Sequence, residues 1–205
     1  MWAIVESGSI TKMHTRPRAF KIGDNQYPAN TMTLWSESEL QSIGVYPVTV
    51  DNTNLKNKEY YINTNITYAV DGITVKGTYG AATAISMTDT LFTADDEAAD
   101  ANNVEGEVAT RGLKYNHKII INQQAGGLLQ DTDWMVIREA EGGTACPSNI
   151  KTWRAAVRTK ANAMQVQIDG AADVDALAAL YVYTYADPDD LTSAFTRPLG
   201  EFPTL

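Results

Sequence analysis

Two histidines, His14 and His117, a single cysteine, Cys146, and the acidic runs Asp95-Asp96-Glu97 and Asp187-Pro188-Asp189-Asp190 are the groups from which catalysis or metal binding would have to be built. Nucleophilic catalysis needs a nucleophile, a base within hydrogen-bond reach and an oxyanion site. His14 stands in the sequence Met-His-Thr-Arg, where an expected hairpin ends. His117 falls on the apolar seam of an expected helix, which suits a hydrogen-bonded core or interface histidine better than a base. There is no Gly-x-Ser-x-Gly elbow. A Cys146/His117 pair is conceivable, but nothing flanking Cys146 marks an activated thiolate, and beside Pro147 it reads as a small buried filler. Two histidines and one cysteine do not make a zinc cluster. Neither acidic run has the spacing of a calcium loop with its central glycine and terminal glutamate, so both read as solvated loops. Gly72, Gly77 and Gly80 lie between expected strands, where turn geometry explains them better than a phosphate cradle does. The expectation is no catalytic residue, no cofactor and no metal.

The aromatic side chains are the other chemical resource: Trp2, Trp35, Trp134, Trp153 and ten tyrosines. Large amphipathic rings serve core packing and interface anchoring. A second reading places Tyr46, Tyr60, Tyr61, Tyr68 and Tyr79 along an open groove that stacks on receptor glycans. A small hydrolase using His14 or His117 is a third.

Charge narrows the partners. The formal net charge is −9, which argues against a nucleic-acid partner, because phosphate binding needs a net positive face. The charge is uneven: residues 89–107 carry seven acidic and no basic side chains, residues 108–160 eight basic and four acidic. The basic helical segment and its acidic flanks are thus expected to attract each other, within one chain or between copies. No apolar run approaches the roughly 20 residues that span a bilayer, and the start, MWAIVESGSITKMH, lacks the basic head and long apolar stretch of a secretory signal. No membrane partner and folding in a cytoplasm are expected. A lone cysteine excludes an internal disulfide framework.

These side chains need elements to hold them. Residues 1–85 read as a β-rich domain. Trp2–Val5 and Ile10–Met13 flank a turn at Glu6–Ser9, and Ala19–Ile22 and Gln26-Tyr27 flank Gly23–Asn25. Ser36-Glu-Ser-Glu39 predicts a capping box on a short helix that points Leu40 and Ile43 inward and stops at Gly44. Thr67–Val70 and Ile73–Lys76 surround Asp71-Gly72, the strongest hairpin signal in the chain, with both residues expected at positive φ. Residues 86–105 read as an acidic linker. Residues 106–183 read as helical: one helix from near Leu113 to Leu129 with its last turn weakened by Gly126-Gly127, a short one capped by Asp131 or Thr132 and carrying Trp134 and Ile137, and a long one after Pro147. The seam Ile150, Trp153, Val157, Met164 is expected to pack against Leu113, Ile120 and Leu128. Asp173 caps a last helix, Val174–Tyr183, and residues 184–205 read as an extended arm. The fold class is α+β, a β-rich amino-terminal domain with a short helix followed by an antiparallel helical domain.

The stretch Asp131–Arg158, DTDWMVIREAEGGTACPSNIKTWRAAVR, resembles the carboxy-terminal domain of bacteriophage tail-fibre assembly and tail assembly chaperone proteins. There an acidic-Thr-Asp-Trp start leads through a Gly/Pro turn to an Arg-x-x-x-Arg helix. The matching positions are Thr132, Asp133, Trp134, Arg138, Pro147, Trp153, Arg154 and Arg158. The segment LWSESELQSIGVYPV is similar to leaders in marine and cyanobacterial phage proteins. The resemblance implies a non-enzymatic phage tail component, fibre- or baseplate-associated, in a virion tail assembled in the host cytoplasm. Its implied partners are tail, fibre or baseplate proteins in a homo- or hetero-oligomer. The residues implied for protein contact are Trp134, Arg138, Trp153, Arg154 and Arg158, with the two tryptophans packed across a helical hairpin and Arg154 and Arg158 reaching Asp133 or Glu141.

Overall fold

The computed structural model describes Met1 to Leu205 and separates into two compact units, Met1–Thr83 and Ala84–Leu205. The first is β-rich and the second helical, so the chain is α+β. No helix is long and apolar enough to cross a membrane.

The first unit begins with the hairpin β1 (Trp2–Glu6) and β2 (Ser9–His14). Ser7 and Gly8 both have positive φ, 51° and 78°, which gives a two-residue loop the twist that neighbouring strands require. A second small hairpin, β3 (Phe20–Ile22) and β4 (Asn25–Tyr27), leads to the short helices α1 (Thr31–Leu34) and α2 (Glu37–Ser42). The expected capping box closes α2: Ser36 Oγ accepts from the Glu39 amide while the Glu39 carboxylate accepts from the Ser36 amide at 2.7 Å. Gly44 then turns the chain at φ 84°, and a Cβ there would stand 2.6 Å from the Val5 carbonyl oxygen. The position admits no side chain. Strands β5 (Val45–Asp51), β6 (Tyr61–Ile62), β7 (Thr67–Asp71), β8 (Thr74–Thr78) and β9 (Thr83–Ala84) follow.

The main sheet has the order β2-β1-β5-β8-β7, antiparallel except for the parallel pair β5–β8. Its edge strands β2 and β7 come into contact, so the sheet curls on itself. Strand β1 lies inside the sheet, between β2 and β5, and is buried on both faces, which accounts for its unbroken apolar sequence. Ile4 joins Phe20, Met32, Leu40 and Val45 on one face. Ala3 and Val5 join Val75 on the other, with Tyr46, Val48 and Val70 packed around them. The β7–β8 turn differs from expectation by one residue. Asp71 pairs with Thr74, so the loop is Gly72-Ile73, and Gly72 alone has positive φ. Asp71 extends the strand.

In the second unit the stretch expected as an acidic linker is built. Strand β10 (Thr90–Leu91) pairs with β11 (Val108–Thr110), and between them α3 (Ala94–Ala99) is opened by a capping box of Thr93 and Asp96. The acidic run therefore has a local cause: carboxylates at a helix amino terminus accept from its free amides and face its positive end.

Helices α4 (Leu113–Ala140) and α5 (Ser148–Gly170) make the core. They are antiparallel: Lys114 and Lys118 bond Asp169, Asn122 bonds Gln165, and Glu139 bonds Lys151. Ile150, Val157 and Met164 of α5 are buried as expected, joined by Ala161 and Ile168, while Trp153 is only half-buried; the facing side of α4 is Leu113, His117, Ile121, Ala125 and Thr132. Ile120 and Leu128, expected in the seam, are exposed. A strict four-residue spacing from Leu113 passes through Ile121, and one step back rotates Ile120 about 100° out of contact.

The expected break near Leu129 and the separate short helix are absent; α4 runs through Gly126-Gly127 and Thr132. Two glycines cost a helix about 1 kcal/mol each, yet bonds to α5 on both sides of the pair, at Asn122 and at Leu129–Asp133, hold the turn closed. The chain ends with α6 (Val174–Ala179), capped by Asp173 and shorter than expected, and the hairpin β12 (Thr184–Tyr185) and β13 (Phe195–Thr196). The last residues lie along α5: Lys160 Nζ donates to Leu199 O at 3.0 Å and Gln167 Nε2 to Pro198 O at 3.3 Å, with Leu199 fully buried.

A Cβ at Gly126 or Gly127 meets no atom within 4 Å, and neither has positive φ. Gly126→Ala and Gly127→Ala should each stabilise the helical unit by roughly 0.5–1 kcal/mol, read as a higher urea midpoint; a lower midpoint would mean that the pair serves a bend.

Candidate functional site

The five residues singled out for protein contact lie where the carboxy-terminal part of α4 runs beside the start of α5, and the structure sorts them into an inner and an outer set. Arg154 is the inner one, 8% exposed. Its Nη1 donates to Leu129 O at 2.7 Å and to Thr132 Oγ1 at 2.6 Å, and its Nη2 donates to Asp133 Oδ1 at 2.6 Å. Thr132 Oγ1 in turn donates to Leu129 O at 2.9 Å. A buried guanidinium needs this many acceptors to offset its lost hydration. Thr132 is thus no helix cap; it sits inside α4 as an acceptor for Arg154. The expected bridge from Arg154 to Asp133 is present.

Trp153 is half-buried, and its indole Nε1 donates to Pro203 O at 2.9 Å. It fastens the end of the chain to α5. Trp134 does not share that environment: it is 54% exposed on α4, with the Arg138 guanidinium 4.9 Å above its ring. The expected packing of one tryptophan on the other gives way to these two separate attachments. Arg138 is fixed from its other side by donation from Nε to Thr144 O at 3.1 Å. Arg158 is exposed, and no ion pair joins it to Asp133 or Glu141.

Sequence reasoning missed the company that Trp134 keeps. Ile137, exposed, lies one turn from Trp134 on the side of α4 turned from α5; Ile119 is exposed on that side too, but roughly 22 Å away along the helix. On a helix of 100° per residue this grouping needed the correct buried face first, and that face was assigned one residue away. Glu139 was also missed. Its carboxylate accepts from Lys151 Nζ at 2.5 Å and from the Cys146 amide at 3.3 Å, which fixes the turn between the helices and holds its pKa below the usual carboxylate range.

The chemistry-bearing groups are dispersed. His117 Nδ1 and Tyr181 Oη are 2.8 Å apart, with ring centroids at 4.9 Å: the histidine is a hydrogen-bonded core residue. Cys146 is buried beyond the far end of α4, about 35 Å along the helix from His117 at 1.5 Å per residue, so the two form no pair. Asp96 belongs to the cap of α3, Glu97 accepts from the Glu105 amide, and Asp187 and Asp190 accept from nearby amides. No three His, Cys, Asp or Glu side chains converge as metal ligands would. Three of the five tyrosines proposed for a glycan groove are engaged within the fold. Tyr60 is buried, with its phenol pKa raised by burial and by Glu59; Tyr46 packs on the inner cluster of the sheet; and Tyr68 lies over Gly77.

Compared with known proteins, the chain matches no protein-family model, no curated protein and no solved structure. What the site offers therefore has to be read from its own geometry: a rigid helix pair locked internally by Arg154, with an aromatic and aliphatic outer side at Trp134.

Arg154→Leu should lower the stability of the helical unit by about 2–4 kcal/mol, because Asp133 and the Leu129 carbonyl lose a charged donor. Asp133→Asn, altering a half-exposed partner, should cost under about 1 kcal/mol; equal losses in urea unfolding would refute the ranking. His14 supplies a second test. Burial, helped by the charges of Lys12 and Arg18, holds its imidazole below the ordinary 6.5. The unfolded chain then binds the proton more readily, so stability is intact above pH 6.5 and declines as the pH falls below it. Between pH 7 and pH 5 the first unit should lose stability, and His14→Leu should flatten that slope; an unchanged slope would exclude His14 as its source.

Proposed function

We propose that this protein is a non-enzymatic structural adaptor of a bacteriophage tail, associated with fibre or baseplate, that works by binding other proteins through the outer side of α4. The observation that carries the reading is Trp134, more than half exposed, held under Arg138 on a continuous 28-residue helix, with the exposed Ile137 one turn further on. An exposed aromatic that is already rigid loses little entropy on binding, and tryptophan and arginine dominate the energetics of protein interfaces. Exposed apolar side chains grouped on one face of an ordered element mark contact with a partner.

The resemblance of Asp131–Arg158 to tail-fibre assembly proteins names the kind of partner: tail, fibre or baseplate proteins, or a second copy of the chain. The net charge of −9 disfavours nucleic acid as that partner, and the reading uses no membrane contact. The place of action is the virion tail, put together in the host cytoplasm. The inner residues Arg154 and Trp153 keep the helix pair and the chain end in place, while Trp134 and Arg138 make the contact; Arg158, exposed and without an ion pair, lies on α5 as an additional charged contact.

Mass spectrometry of purified phage particles and pull-down of tail proteins test this directly. The protein should co-purify with tail components, and Trp134→Ser combined with Ile137→Ser should cut that recovery at least tenfold while far-UV circular dichroism stays unchanged. Recovery as a lone monomer, absent both from particles and from tail-protein pull-downs, would defeat the proposal.

A further inference from the structure

The seven residues Lys12–Arg18, KMHTRPR, hold three cationic side chains and one of the two histidines of an acidic protein. The fold brings them around one cavity. Ile4 pairs with Lys12 but Val5 with Ile10, so Thr11 is an extra residue in β2. This bulge sets Lys12 opposite Ile4 and His14 opposite Trp2, on one face of the hairpin. Beyond β2, Pro17 fixes the chain and favours extended backbone at Arg16. Lys12, His14, Thr15, Arg16 and Arg18 then line a cavity of about 480 Å³ whose walls include no carboxylate.

Two further observations concern these side chains. Lys12, Arg16 and Arg18 are exposed and take part in no ion pair; Lys56 and Lys58 of the same unit are also without one, but only the first three converge on one cavity. His14 is 4% exposed, and its Nε2 is buried without a hydrogen-bond partner. Leaving a buried polar nitrogen unpaired costs about 1–3 kcal/mol, and such groups in folded proteins call for a specific explanation. An anion seated in the cavity would offset the charge of the three cations that line it, beside the His14 ring. The low basicity of His14, caused in part by Lys12 and Arg18, agrees that their positive potential reaches the ring.

We propose that this cavity is a binding site for a small polyvalent oxyanion, a diphosphate group, with Lys12, Arg16 and Arg18 neutralising its charge and the His14 ring in the wall beside it. Arginine forks match phosphate oxygens in geometry, and three cations suit a charge above that of one monoester. The volume falls within the range of small-ligand pockets, about 300–1,000 Å³. The site lies in the first unit and stands whatever α4 binds.

Calorimetric titration of the full chain with inorganic pyrophosphate and with ADP, at physiological ionic strength, tests it alongside NMR of the His14 ring. Pyrophosphate should saturate one site per chain and shift the His14 resonances, and the triple variant Lys12→Gln, Arg16→Gln, Arg18→Gln should bind at least tenfold more weakly. Tighter binding of ADP assigns the diphosphate to a nucleotide, and equal binding to a bare diphosphate; either supports the site. The altered side chains are exposed, so the fold should persist by circular dichroism; if it does not, Arg16→Gln and Arg18→Gln singly should each weaken binding about threefold. No saturable binding of either ligand, affinity unchanged in the variants, or His14 resonances that stay still on saturation would overturn it.

Discussion

The helical unit depends on one buried cation. Arg154 projects from α5 into α4 and meets a main-chain carbonyl, a hydroxyl and a carboxylate within five residues of sequence. Apolar packing alone would leave the register of these helices loosely set, since α4 buries only Leu113, Ile121 and Ala125 as apolar residues against α5. Desolvating a guanidinium is expensive, and that expense is what makes it selective: an arrangement that slid α4 by one turn would leave the charge without its acceptors. Lys118 with Asp169 at one end and Glu139 with Lys151 at the other are more exposed pairs of modest strength. They refine a register that Arg154 imposes.

The same constraint explains how far the sequence could be read. The capping box at Ser36 and the hairpin turns are local devices, in which the residues that form the structure are the residues that signal it. They were legible, down to a one-residue shift at Gly72. Helix α4 was not, because its continuity is decided by another helix. Gly126-Gly127 and the acidic-Thr-Asp sequence are honest local signals for an ending and a new cap. They are overruled by contacts with residues more than twenty positions away. The seam of α5 was legible because its apolar residues stand alone on one face. That of α4 was ambiguous because Ile119, Ile120 and Ile121 are consecutive, and only the partner selects Ile121.

The candidate site shows the same division. A motif can say that Trp134, Arg138, Trp153, Arg154 and Arg158 belong together, yet it says nothing of which side each faces. Thr132 illustrates why. Its hydroxyl is equally suited to capping an amide or to bonding back to the carbonyl three residues earlier, and Arg154 makes the second use the favourable one. Once Thr132 is interior, the helix has a fixed rotation. Trp134, two residues on, is turned outward by necessity.

The two tryptophans then have complementary tasks. Trp153 binds the Pro203 carbonyl, and with Lys160 and Gln167 it covers one side of α5 with the end of its own chain. That surface of α5 is occupied by a segment tethered to it, at an effective concentration no separate partner would match. The outer side of α4 has no such cover. Its aromatic residue is held from within by Arg138, itself bonded to Thr144 at the turn, so Trp134 and the turn between the helices are mechanically connected. A helix whose back is locked by a buried charge, whose companion is covered by the chain end, and whose front carries a braced indole is the arrangement that the proposed adaptor role calls for. This physical content, more than the likeness of a motif, supports the adaptor reading.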